Sequence, residues 1–151
     1  MSESNTLWES IWSSSAKSWH SQDISKGLDP VAAGSYLTAF AGPYNAQAQW
    51  IRVYYQRQDG TIREAALNDG GSWGKGIEPT QGFPKAKNGT GLAIVRFPDT
   101  NEGEAKLFYQ STGGKLMSFD YRRNSTSDGN WQNQDRGFPA LSSRMDLRSF
   151  Y

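Results

Sequence analysis

The 151-residue sequence predicts an all-β chain and, within that class, a β-propeller built of four-stranded blades. Three observations lead there. Apolar and polar residues alternate in twos through short segments such as Ile51 to Gln56, the period of a strand with one buried face. Gly, Asn, Asp and Ser interrupt these segments too often for a helix to develop. A pattern of strand, glycine turn, strand, glycine turn and tryptophan also recurs at a spacing of about 50 residues, the repeat length of propeller blades.

The elements follow in chain order. "NTLWESIWSSSAKSW", ending at Trp19, reproduces only the second half of the pattern. "GSYLTAFAG" (34–42) reads as a strand preceding the first complete copy, "WIRVYYQRQDGTIREAALNDGGSW" (50–73). In that copy Ile51, Val53 and Tyr55 should face one way and Arg52, Tyr54 and Gln56 the other. "GTGLAIVRF" (89–97) then precedes a second copy, "EAKLFYQSTGGKLMSFDYRRNSTSDGNW", ending at Trp131. The last strands are "FPALSSR" (138–144) and "MDLRSFY" (145–151). The latter matches "WIRVYYQ", with Arg148 in the place of Arg52, and so supplies the half missing from the N-terminal copy. There, Leu7 stands for Ile62, Glu9 for Glu64 and Trp19 for Trp73. Each unit has four strands, and the chain holds three units, one split between its termini. "DGGSWGKG" and "NSTSDGNW" are turns, not linkers, so residues 1–151 read as a single half-propeller domain.

Composition narrows the function. Aromatic residues make up 13% of the chain, too many for a disordered segment and suited to anchoring short strands. Acidic and basic residues are interspersed and the net charge is +1, with no basic stripe to neutralise phosphates, so no nucleic-acid partner is expected. No apolar run approaches spanning length, so no membrane insertion is expected. The absence of cysteine rules out disulfides, a thiol nucleophile and thiolate metal sites. His20 is the single histidine, which speaks against a zinc cluster or a Ser-His-Asp triad; beside Trp19 it reads as a surface residue. No cofactor or metal is implied. "MSESNTLWES" lacks the basic and apolar regions of a signal peptide, so cytoplasmic residence is the expectation and secretion the alternative. The sequons at Asn88 and Asn124 matter only in the second case.

The repeated tryptophans could serve as core payload alone. The repeated Arg and Glu are less easily explained by packing, which gains nothing from a charge at one position of successive strands. Ligand binding accounts for them; a structural ion pair between neighbouring strands is the competing account.

"IRVYYQ…DGTIRE…GSWGKG" resembles the blade motif of the fungal and bacterial fucose-binding lectins typified by Aleuria aurantia lectin. The resemblance runs through the repeats over nearly the whole chain and is weakest in the second full copy. It implies a six-bladed propeller, made by one chain or by association of shorter ones, with sugars held between adjacent blades. One blade supplies an Arg and a Glu, and the next supplies aromatic residues. Carried over, Arg52 and Glu64 make a first site, closed by Trp131 and Tyr121. Arg148 and Glu9 make a second, closed by Trp73, with Leu67 in the place of Tyr121. At the third, Lys106 replaces the arginine and Ser118 the glutamate, with Trp12 and Trp19 as aromatic partners; this site is expected to be weak, altered or empty. Three blades are too few to close a ring, so two chains head to tail are expected to form a multivalent homodimer with composite blades.

The chemistry suits that division. A guanidinium fork donates to neighbouring sugar oxygens, a carboxylate accepts from hydroxyls, and an indole face covers the C–H patch and C6 methyl of fucose. Each site has one carboxylate, whereas glycoside hydrolysis needs two facing each other across the bond. The function expected is therefore a non-enzymatic lectin for fucosylated glycans. The competitors are a sialidase-like glycosidase, since "STSDGNW" resembles an Asp-box turn, and a protein-interaction scaffold.

Overall fold

A computed structural model of the chain describes residues 5–42, 50–68, 70–79, 84–96, 105–122 and 130–133. Within them lie ten strands and no helix. Strands β1 (Trp8–Ser13) and β2 (Ser18–Asp23) form a two-stranded antiparallel sheet. Strands β3 (Thr38–Ala41), β4 (Ile51–Gln56), β5 (Ile62–Leu67) and β6 (Gly74–Lys75) form an antiparallel meander. Strands β7 (Ala93–Arg96), β8 (Ala105–Gln110), β9 (Leu116–Arg122) and β10 (Asn130–Asn133) form a second. These are the blades of a β-propeller, two with four strands and one seen here with two. The expected strands at 138–144 and 145–151 lie outside the described residues.

The sequence explains the meander. Two-residue alternation gives each strand two different faces, and glycine supplies the tight reversals between them. Gly60 in the β4–β5 turn and Gly114 in the β8–β9 turn sit at φ 84° and 78°, where a side chain would be strained. The registers repeat as well: Arg52 pairs with Ala66 and Tyr54 with Glu64, while Lys106 pairs with Asp120 and Phe108 with Ser118.

Alternation then decides which face packs on which neighbour. Val53, Tyr55 and Ala65 turn toward the β1–β2 sheet and form a core with Leu7, Ile24 and Val31. The opposite face of the same meander turns Tyr54 and Ile62 toward Leu107, Tyr109, Met117 and Phe119 of the next blade. Tyr109 and Phe119 stack there at 5.4 Å. The split of β4 into two faces is thus the one the sequence predicts. Gln56 joins the blades at the level of the loops. Its amide donates to the carbonyls of Ala86 and Lys87 and accepts from the Gly89 N–H. On the rim, Asp29 receives Arg63 and Lys75, which ties the loop before β3 to β5 and β6.

Candidate functional site between blades

The first site starts from strand order. Arg52 and Glu64 lie on adjacent strands one rung apart, on the face of their blade that meets the next blade. Arg52 Nε stands 3.3 Å from Glu64 Oε1. The guanidinium is held from several sides. Its Nη1 donates to the carbonyls of Ile51 and Leu67, both at 3.0 Å, and its Nη2 to Asn68 Oδ1 at 2.8 Å. The plane also lies over the Trp50 ring, 5.1 Å from its centroid. Trp50 in turn lies against Gly42, where an added Cβ would fall 1.7 Å from the ring. Glycine at 42 is therefore part of what positions Arg52.

Glu64 is only 5% exposed. Tyr54 donates its hydroxyl to Glu64 Oε2 at 2.5 Å, and the Ile77 N–H donates to the same carboxylate. Burial pushes the Glu64 carboxyl above its ordinary range, against the opposing pull of the Tyr54 hydrogen bond and the Arg52 charge. Tyr54 is itself pushed well up, first by burial and then by the Glu64 charge. Gly76 leaves room for the carboxylate, since a Cβ there would meet Glu64 Oε1 at 2.1 Å.

A count of hydrogen-bonding capacity shows what remains for a ligand. Four of the five guanidinium hydrogens of Arg52 point to partners, leaving one on Nη2 without a partner among the described residues. Three of the roughly four acceptor positions of Glu64 are taken. The pair is thus a rigid unit with one donor and one acceptor to spare, which matches two neighbouring hydroxyl groups. Across the gap, Tyr121 packs on the interblade core. Trp131 stands opposite Tyr121 in the backbone register of β9 and β10, and its side chain lies outside the described residues. Arg96 reaches from the same blade to the Ala41 carbonyl at 3.3 Å.

At the second site Glu9 faces the β3–β6 blade. Its Oε2 accepts from Gln22 Nε2 at 2.7 Å and from the Trp73 indole at 3.0 Å. A cavity of about 390 Å³ opens beside them, lined by Glu9, Gln22, Leu67, Ser72 and Trp73. Leu67 and Trp73 therefore stand on the blade face opposite to Arg52 and Glu64, as the repeat implies. Arg148 lies outside the described residues.

At the third position Lys106 is half-buried and Ser118 buried, but they do not form a pair. Lys106 Nζ instead meets Asp120 Oδ1 at 3.1 Å. Trp12 and Trp19 stand opposite each other in the register of β1 and β2, 50% and 68% exposed, with ring centroids 5.7 Å apart. Trp8 is exposed on the same face, which points away from Glu9. His20 is exposed.

Sequence comparison of the repeats missed Tyr54, Trp50, Asn68, Gly42 and Gly76, which hold the first pair, and it missed Asp120. Tyr54 was within reach, since a tyrosine directly across the strand from a buried glutamate is a natural hydrogen-bond partner. Among the described residues no three His, Cys, Asp or Glu side chains are grouped to hold a metal.

The family described as fungal fucose-specific lectin matches residues 1–149. The crystal structure of AofleA from Arthrobotrys oligospora superposes with a TM-score of 0.65 at 22% identity. The match covers 89% of this chain and 37% of that one, so the chain spans little more than a third of that protein's length. Among curated proteins none matches.

Proposed function

We propose, from the premise that this chain belongs to the fungal fucose-specific lectin family, that it binds L-fucose and fucosylated glycans between adjacent blades without cleaving them. The observation that carries this reading is the Arg52–Glu64 pair, buttressed on all sides and turned toward the next blade with one donor and one acceptor in hand. The pair would take two sugar hydroxyls by charge-assisted bonds, while Tyr121 and Trp131 cover the apolar face of the ring. One carboxylate per site supports binding over hydrolysis. Glu9 and Trp73, with Arg148, would form a second site of the same type.

The reading extends to assembly. The β1–β2 sheet offers a free β1 edge among the described residues, beside an apolar groove of about 280 Å³ lined by Trp8, Leu37, Ala39, Ile51 and Val53. In the complete blades the two inner strands occupy the corresponding place. Residues 138–151 carry the sequence pattern of those strands, so a second copy would fill this groove with them and bring Arg148 to Glu9 and Trp73. The two ends of the array suit each other: one presents Trp12 and Trp19, the other Lys106 and Asp120. A head-to-tail pair would close six blades.

Calorimetric titration with methyl α-L-fucoside, beside a fluorogenic glycoside panel, tests the function. Saturable binding without hydrolysis is expected; hydrolysis, or no binding to fucosylated glycans, refutes it. Light scattering tests the assembly. A dimer is expected for the intact chain and a monomer after deletion of residues 145–151; a monomer that retains both strong sites refutes the composite blade.

A further inference from the structure

The β7–β10 blade differs from its neighbour at two successive rungs, and the differences are matched. Where Tyr54 faces Glu64, Phe108 faces Ser118; where Arg52 faces Ala66, Lys106 faces Asp120. Removing the deep carboxylate removes the need for the tyrosine hydroxyl that bonds it, and both are gone together. The acid has not been lost. It stands one rung along the strand, two residues or about 7 Å away, level with the cation. Lys106 has no fork with which to reach two acceptors, and its ammonium meets Asp120 at 3.1 Å.

We propose that Lys106 and Asp120 form a sugar site of a second kind, for a neutral pyranose with two adjacent ring hydroxyls, held less selectively than fucose at the first site. The inference rests on the lectin reading and deepens it. Nζ stands 3.1 Å from Asp120 Oδ1 in an ion pair, and its hydrogens have no hydrogen-bond partner among the described residues, so one can be donated to a ring hydroxyl. Asp120, whose Oδ1 is buried beside Lys106, accepts from the adjacent hydroxyl through Oδ2. No deep carboxylate fixes the far side of the ring, because the neutral Ser118 replaces Glu64 and Phe108 carries no hydroxyl. A buried charge left unpaired is what most strongly rejects a wrong sugar, and at this depth the site has only the neutral Ser118 hydroxyl. Trp12 and Trp19 of a second copy would supply the aromatic cover.

Amide NMR of the full chain, titrated with methyl α-L-fucoside and separately with methyl α-D-mannoside, tests this. The Lys106, Ser118 and Asp120 amides should shift with both sugars. Their half-saturation should lie about tenfold above that of the Arg52 and Glu64 amides with fucoside, the order expected for one lost charge-assisted bond. Asp120→Asn, and independently Lys106→Met, should remove the response at 106–120 and leave the one at Arg52 and Glu64. The proposal is overturned if the Lys106 and Asp120 amides stay still while those at Arg52 and Glu64 move, or if neither substitution changes the response. It is also overturned if only fucoside acts there. Silence at both sets with both sugars would bring down the lectin reading itself.

Discussion

The polar faces of the two complete blades share one backbone ladder and carry their acids at different depths. In the β3–β6 blade the carboxylate is one rung below the arginine, 5% exposed, and surrounded by a tyrosine hydroxyl, a backbone N–H, a guanidinium and a glycine with no side chain to obstruct it. In the β7–β10 blade it is level with a lysine, in an ion pair whose cation is 30% exposed. The difference teaches that a buried acid is not a property of one position. Taking a carboxylate out of water costs several kcal/mol, and the cost is offset only when its remaining lone pairs are satisfied. Tyr54, Ile77 and Gly76, with Arg52, meet that condition for Glu64, whereas the acid one rung along stands beside Lys106.

The largest test of this contrast is Glu64→Ala against Asp120→Ala. The first strips partners from Arg52 and from the buried Tyr54 hydroxyl. It should lower stability by about 1–3 kcal/mol and fucoside affinity at the first site by about 100-fold. The second breaks one ion pair, 30% and 13% exposed, and should cost less than the first, about 1 kcal/mol. Urea denaturation and calorimetry measure both; equal losses would erase the distinction between the two faces.

Next in size is Gly76→Ala, which places a methyl group where Glu64 Oε1 lies. A displaced carboxylate should weaken fucoside binding at the first site by about tenfold, the scale of one charge-assisted bond, while circular dichroism stays native. Unchanged affinity would mean that the carboxylate is not placed by this glycine.

The pH response is smaller and has a definite sign. Glu64 is an acid whose folded pKa is raised above its ordinary 4.5, so the native state keeps its proton to higher pH than the unfolded chain does. Its contribution to stability is complete below 4.5 and declines as pH rises through the folded value. Sugar affinity runs the other way, because the acceptor must be ionised. Fucoside titrations from about pH 4 to about pH 7 should show affinity at the first site rising through a midpoint above the ordinary glutamate range. A midpoint at or below that range would contradict the buried acceptor.

The smallest effect expected is that of Tyr54→Phe, which gives the first blade the residue the second has at Phe108. It removes one hydrogen bond to Glu64 and should cost about 1 kcal/mol of stability and a few-fold in affinity. A loss as large as that of Glu64→Ala would show that the hydroxyl, not the guanidinium, is the main support of the acid.

Much of this was legible in the sequence. Two-residue alternation and glycine punctuation predicted the strands, and the repeat placed Arg52, Glu64, Glu9 and Trp73 at corresponding blade positions. Both rest on local rules: a strand turns alternate side chains to opposite faces whatever its surroundings. The relocated acid was not legible in the same way. Asp120 occupies the position of Ala66, which carries no function in the first blade, so matching repeats residue by residue passes over it. Only the pairing of β8 with β9 sets Lys106 against Asp120.

The supports of the first pair belong to the same class. Gly42 and Gly76 look like ordinary turn residues until a ring and a carboxylate are found in the space a Cβ would fill. Asn68 looks like a turn residue until its amide oxygen meets the Arg52 guanidinium. Sequence by itself determined the blades, their faces and which residues carry charge, because these follow from the period of the chain. Tertiary structure decided which charges meet, at what depth and with how much capacity left for a ligand, because those depend on distances between strands that no single strand encodes.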